Sequence, residues 1–229
     1  MFKRQRADVN PLEEYFANND NGRLIHKWVH YFDIYHRHFA PYRGKKITIV
    51  EFGVFHGGSL EMWRNYFGPR ARIIGVDIDE RCRDLTGPGV EVVIGDQADP
   101  DFLRALVARV GPIDVVIEDG GHTMEQQLTT FRELWPAVRD GGVYLVEDLH
   151  TSYWSEFGGG YRRPGTFIEH AKTLIDSLNA WHSHDEASFT VDEHTRTVRG
   201  MHVYDSIIVF DKAAVEAPRD VMRGKPSHD

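Results

Sequence analysis

Between residues 47 and 146, short runs of continuous apolar residues alternate with segments whose apolar positions recur every three or four residues. The runs at 47–52, 73–77, 90–94, 113–117 and 143–146 read as five strands. The intervening segments predict helices over 60–67, 99–110 and 124–138. Strands that are apolar throughout and alternate with amphipathic helices predict a mostly parallel sheet covered on both faces. Crossovers in such a sheet are right-handed, and ligands bind just past the carboxyl ends of the strands.

The flanks read differently. Residues 1–22 are polar and end in Asn18-Asn19-Asp20-Asn21-Gly22, a turn-rich stretch. Residues 23–39 carry Leu24, Ile25, Trp28, Val29, Phe32 and Tyr35 at helical spacing, which predicts a helix closed by Pro41 and Gly44. Trp28, Tyr31 and Tyr35 are expected in its core-facing stripe. Residues 150–165 are rich in Gly, Tyr and Arg and predict a mobile loop beside the site. A helix is expected over 166–181, and strands over 187–192 and 202–210 predict an antiparallel hairpin at the sheet edge. The expected organisation is an N-terminal helical lid segment (1–44), one doubly wound, Rossmann-like α/β domain (45–212) and a tail (213–229).

Composition narrows the class. Of 229 residues, 41% are hydrophobic, enough for a sizeable core in one α/β domain. The net charge of -8 disfavours a nucleic acid partner, since such binding is largely phosphate neutralisation by Lys and Arg. The single cysteine, Cys82, excludes an intrachain disulfide and a Cys-based zinc site. The charged start Met1-Phe-Lys-Arg-Gln-Arg has no apolar run behind it, and no apolar stretch approaches the roughly 18 residues of a membrane span. A cytoplasmic enzyme with no membrane partner is the expectation.

The first strand ends Glu51-Phe52-Gly53, followed by Val54-Phe55-His56-Gly57-Gly58-Ser59. Glycines let the backbone turn tightly and approach a ligand, and the next helix offers free N–H groups. The spacing is Gly-x-x-x-Gly-Gly rather than the dinucleotide fingerprint Gly-x-Gly-x-x-Gly, so a zwitterionic amino-acid tail fits as well as a pyrophosphate. Asp77, at the end of the second strand, is placed to accept ribose hydroxyls. Asp96, at the end of the third, can reach an adenine edge with Gln97, although both also suit a turn and helix cap.

The fourth strand ends Glu118-Asp119-Gly120-Gly121-His122 and the fifth Glu147-Asp148-Leu149-His150. If these strands are neighbours, Asp119, Glu147 and Asp148 converge. Three adjacent carboxylates repel unless a cation or shared protons offset them, and hard oxygen ligands suit Mg²⁺. Capping of the following helices is the competing explanation. His122, three residues past Asp119, is the candidate general base, because imidazole titrates near neutrality. His150 and His56 are its rivals. Tyr153, Trp154 and Tyr161 are candidates to stack on an acceptor, with His150 beside them.

Glu51-Phe-Gly53, Gly57-Gly58-Ser59, Gly75-Val-Asp77-Ile-Asp79 and Gly95-Asp96 together resemble the ordered motifs of class I S-adenosylmethionine-dependent methyltransferases. The resemblance covers about residues 47–150 and continues into the terminal hairpin. It implies a methionine end on the Gly53–Ser59 loop, ribose at Asp77 and adenine at Asp96 and Gln97. The implied cofactor-binding set is Glu51, Gly53, His56, Gly57, Ser59, Asp77, Asp96, Gln97 and Asp119. Asp119-Gly-Gly-His122, Glu147-Asp148 and Thr151-Ser-Tyr-Trp154 resemble a narrower group. These are the metal-dependent sugar O-methyltransferases of macrolide biosynthesis, the rhamnosyl O-methyltransferases and the cephalosporin-hydroxylase-like proteins. That resemblance implies Mg²⁺ on Asp119, Glu147 and Asp148, bound to two neighbouring sugar hydroxyls, with His122 as base. It also implies a glycosidic acceptor and a homo-oligomer. The sequence departs from the group at Gly121, often Ser there, and is expected to lack the large N-terminal auxiliary domain of the mycinamicin type. A catechol-type O-methyltransferase, a nucleotide-dependent oxidoreductase and a non-catalytic binding protein are the alternative expectations. Loss of methyl transfer on changing Asp119 or Glu147 separates the last from an enzyme.

Overall fold

A computed structural model describes residues 10–185 and 187–228. Seven strands form one sheet in the order β3-β2-β1-β4-β5-β7-β6. They are β1 (Thr48–Phe52), β2 (Arg72–Asp77), β3 (Val90–Ile94), β4 (Ile113–Glu118), β5 (Val138–Val146), β6 (Val198–Val203) and β7 (Ile208–Lys212). The first five are parallel, and β7 and β6 add an antiparallel edge beside β5. Strand order reverses between β1 and β4, so the mouth of the sheet opens where Gly53 and Asp119 emerge.

Both faces are covered. One core packs α1 (Pro11–Ala17), α2 (Tyr31–Phe39) and α3 (Gly58–Phe67) on the sheet through Tyr35, Phe39, Trp63 and Phe67. The other packs α4 (Pro100–Val110), α5 (Met124–Leu134) and α6 (Phe167–Asn179) through Leu103, Phe131, Trp135 and Phe167. Burying each of these side chains contributes about 1.5–3 kcal/mol, which makes the sheet a rigid platform for its loops. α5 starts on a capping box in which Thr123 and Gln126 satisfy each other's backbone groups. That cap fixes the chain immediately after His122.

The first four parallel strands fall where the apolar runs predict them, and β5 covers its run at 143–146 but begins at Val138, where the spacing predicts the end of a helix. Elsewhere the structure corrects the sequence. The helix expected over 23–39 begins only at Tyr31, and residues 24–28 carry no helix. Trp28 is 57% exposed rather than in the core, whereas Tyr31 and Tyr35 are buried. The segment 187–192 is not a strand. Asp192 instead caps the short helix α7 (Glu193–Thr197) through Thr195, and the edge hairpin is built from β6 and β7. Residues 149–157 fold into two 3₁₀ turns, and Thr151 and Ser152 within them are buried. No helix among the described residues is long and apolar enough to cross a membrane.

Candidate active site

A cleft of about 700 Å³ lies at the carboxyl ends of β1, β2, β3 and β4. That is within the usual size of a small-molecule site. Gly53, Phe55, His56 and Ser59 form one wall, Asp77, Ile78, Asp79 and Asp96 the second, and Asp119, His122 and Asp148 the far end. Gly53 has φ +89°, and a Cβ there would fall 1.9 Å from the Asp119 carbonyl oxygen. Only glycine lets the first loop pass so close to the fourth.

The loop is held from beneath by Glu51. It is fully buried and accepts hydrogen bonds from Ser59 Oγ (2.9 Å) and Trp63 Nε1 (2.8 Å). Burial pushes its pKa up to about 7, against the pull of Lys27. Glu51 does not line the cleft, so the direct cofactor contact expected of it becomes a loop-holding role. Gly57, with φ +77°, turns the chain into α3 without lining the cleft. Asp77 lines the cleft, and its carboxylate accepts from the backbone N–H of Val54 (2.8 Å), Phe55 (3.1 Å) and Asp79 (2.9 Å). Asp96 caps Ala98 N (2.8 Å) and also faces the cleft. Gln97, expected at adenine, lines the cleft, with its carboxamide tied to protein groups. It donates to Glu118 and Thr130 and accepts from Gly121 N.

The acids converge as the sequence suggested, because β4 and β5 are parallel neighbours with Glu118 paired to Val146. The grouping differs in detail. One ligand atom each from Asp119, His122 and Asp148 lie within 4.8 Å of one another. His122 Nε2 is 3.4 Å from Asp148 Oδ2 and 3.9 Å from Asp119 Oδ1. Glu147 is outside this set but beside it, fully buried and lining a small cavity of about 100 Å³ with Lys27, Tyr31, Asp119 and Asp148. Its Oε2 receives the Lys27 ammonium at 2.9 Å, and Lys27 also bonds Asp119.

Lys27 is the residue sequence reasoning missed. Its side chain is 3% exposed. Burial alone would lower its pKa, but the charges of Asp119, Glu147 and Glu51 outweigh burial and raise it, so it stays cationic. Burial and Asp119 push the Glu147 pKa up, with Lys27 opposing. Tyr31, also unassigned, donates from its hydroxyl to Asp148 Oδ1 at 2.6 Å. With the acids ionised, three negative charges and one positive leave two uncompensated. Glu147 Oε1 and His122 Nδ1 are buried without a hydrogen-bond partner. The Asp119 and Asp148 carboxylates, with the orphaned Glu147 oxygen in the adjoining cavity, carry the net charge and hard donors that fit one divalent cation.

Two residues here hold strained backbone. His122 has φ +58° and Asp148 φ +52°, the left-handed region that non-glycine residues enter at a cost of about 1–2 kcal/mol. Thr151 spans them. Its Oγ1 lies 3.0 Å from the His122 carbonyl oxygen and 2.8 Å from that of Asp148. One buried hydroxyl thus ties the loop after β4 to the loop after β5.

The expected acceptor residues lie outside the cleft. His150 packs its ring 4.6 Å from Trp154 and 6.1 Å from Trp28, and its Nδ1 is 3.1 Å from Ser206 Oγ. Tyr153 and Trp154 are half exposed beside it.

Comparison with known proteins gives this geometry a context. Residues 50–149 match a methyltransferase-domain family. A tetracenomycin rhamnosyl 2'-O-methyltransferase of Streptomyces olivaceus is 39% identical over 82% of the chain and 52% of its own length. The mycinamicin VI 2''-O-methyltransferase of Micromonospora griseorubida is 35% identical over 91% of the chain and 53% of its own. The chain therefore spans about half the length of the curated relatives it matches. The MycE methyltransferase of the mycinamycin pathway, solved with Mg, SAH and mycinamycin VI, superposes with a TM-score of 0.77 at 32% identity. That match covers 94% of this chain and 58% of the other. Residues 50–149 thus match a methyltransferase-domain family, in a chain similar over most of its length to sugar O-methyltransferases.

Proposed function

We propose that the chain binds S-adenosylmethionine in the cleft and methylates, with Mg²⁺, a hydroxyl of a vicinal diol on a sugar of a glycosylated natural product. The observation that carries this reading is the convergence of Asp119, His122 and Asp148 at the far end of a cleft walled by Gly53, Asp77 and Asp96. Asp77 and Asp96 at the ends of β2 and β3 support a cofactor whose nucleoside lies there and whose reactive end points toward the acids. The relatives' acceptors, a rhamnosyl tetracenomycin and mycinamicin VI, support a sugar hydroxyl over a catechol.

When bound, the sulfonium supplies the methyl group, and Mg²⁺ supplies charge that lowers the pKa of the hydroxyl it holds. Asp119 and Asp148 would hold that ion, with Glu147 supporting them through Lys27. The methyl group would pass from the sulfonium to the acceptor oxygen held beside them. The hydroxyl proton passes to His122 Nε2, the ring nitrogen that faces both carboxylates. His150 is disfavoured as base, because it does not line the cleft and its Nδ1 is held at Ser206. The fixed loops hold the reactants in line.

Calorimetry with S-adenosylhomocysteine tests the cofactor, with micromolar or tighter binding expected and its absence refuting the reading. His122→Ala should keep that affinity and lose about 10²–10⁴-fold in turnover of a rhamnosylated acceptor. Normal turnover in that variant would remove His122 as the base.

A further inference from the structure

At the far end of α2 from the acid cluster lies a second group of ligating side chains. His38 from α2, His202 from β6 and Asp211 from β7 each offer one ligand atom, all within 4.8 Å of one another. The site sits on the outermost strands of the sheet. His38 is seven residues along α2 from Tyr31, about 10 Å at the helical rise, so the two clusters are separate.

The group is more than a surface ion pair. His202 Nε2 lies 3.0 Å from Asp211 Oδ2, which accounts for those two residues alone. The His38 ring packs 4.6 Å from the His202 ring, although a second imidazole gains nothing from a pair already satisfied. Burial, followed by the His202 charge, lowers the His38 pKa to about 4, so it is a neutral imidazole at neutral pH. The Tyr204 hydroxyl lies 2.9 Å from His38 Nε2, a single hydrogen bond that holds the ring beside the pair and that a metal ion can replace. Gly200 leaves the approach open, since even a Cβ there would stand 3.7 Å from Asp211 Oδ2 and 3.9 Å from His202 Nε2. His202 and Asp211 remain 42% and 24% exposed, so the group is reachable from solvent.

We propose that His38, His202 and Asp211 form a binding site for a borderline transition-metal ion, Zn²⁺ first among them, which pins α2 to the edge hairpin. Two imidazoles and one carboxylate suit Zn²⁺ over Mg²⁺, which prefers oxygen alone. Zinc–ligand bonds of roughly 2.0–2.2 Å place ligand atoms about 3–3.5 Å apart, as His202 and Asp211 already are. His38 closes the remaining gap by rotating its side chain, and Gly200 leaves room for a water in the fourth position.

The test is Zn²⁺ calorimetry on EDTA-stripped protein in excess Mg²⁺, which keeps the acid cluster of Asp119 and Asp148 occupied. Co²⁺ absorption serves as a spectroscopic probe of nitrogen ligation. One ion per chain with micromolar or tighter affinity is expected for the wild type. His202→Ala and Asp211→Asn should each weaken binding at least 10-fold while S-adenosylhomocysteine still binds. His202 lies on an exposed edge, and circular dichroism checks that its variant folds. No Zn²⁺ binding by the wild type, or equal binding by both variants, overturns the proposal. Loss of Zn²⁺ binding in His122→Ala but not in His202→Ala would also overturn it, by assigning the ion to the acid cluster.

Discussion

Replacing Lys27 by Met removes the only cation in contact with Glu147 among the described residues, while keeping a side chain of similar length. Glu147 is fully buried, and Asp119 keeps 20% side-chain exposure. Removing one partner of a buried ion pair costs about 3–5 kcal/mol, because the remaining charge is left uncompensated. The partial exposure of Asp119 puts the expected loss at the lower end, about 3 kcal/mol. In a chain of 229 residues that corresponds to a fall in Tm of roughly 6–12 °C. The assay is calorimetric melting in EDTA and in millimolar Mg²⁺. A ligand that binds only the folded state raises stability by mass action, and three uncompensated carboxylates attract a divalent ion more strongly than two. Mg²⁺ should therefore stabilise Lys27→Met more than wild type and recover part of the deficit. A metal-free Tm within about 1 °C of wild type, or the same Mg²⁺ increment in both proteins, would refute the assignment of Lys27 as the counter-charge of this cluster.

Thr151→Val removes the hydroxyl shared by the His122 and Asp148 carbonyls, costing about 1–3 kcal/mol. It should lower kcat about 10-fold with cofactor affinity unchanged, and unaltered steady-state kinetics would show that the bridge does not position the site. The Glu51 carboxyl, ordinarily at 4.5, is raised to about 7 in the folded protein, so the folded state holds the extra proton between those values. Stability should fall as pH rises through that window, by at most about 3 kcal/mol. Glu51→Gln should flatten this dependence in urea titrations, and an unchanged slope would assign it to other groups.

Much of the fold was legible because parallel strands buried on both faces carry an unmistakable apolar signal. The meeting of Asp119 with Asp148 follows from β4 and β5 being neighbours, which the sequence could only assume, and the separate partners of Glu147 were not legible. The N-terminal segment was misread for a definite reason. Leu24, Ile25, Trp28 and Val29 have helical spacing, yet Leu24, Trp28 and Val29 are 56%, 57% and 68% exposed and only Ile25 is buried. An irregular chain that buries alternate contacts and exposes others can mimic a helical period over two turns. Lys27 was invisible because its partners lie 92 and 120 residues away. The edge hairpin was displaced toward the C-terminus because the Asp192–Thr195 capping box falls in a stretch with alternating polarity. Glu51 stands behind the cleft wall and Gln97 lines it with its carboxamide tied to Glu118, Thr130 and Gly121, arrangements that only the packing shows.

Glu147 and Asp148 are consecutive acids of nearly identical chemistry, yet they are not interchangeable. The first ends an extended strand and turns into the protein, where its longer side chain meets Lys27. The second sits in the left-handed region, which Asp adopts more readily than Glu, and faces His122 across the cleft. Writing the same two residues in the opposite order would preserve composition, charge and hydropathy. It would nonetheless shorten the reach to the ammonium and put the less tolerant residue at the positive φ. Sequence comparisons that score the pair only as acidic will therefore miss the feature that decides whether a related chain can build the same site.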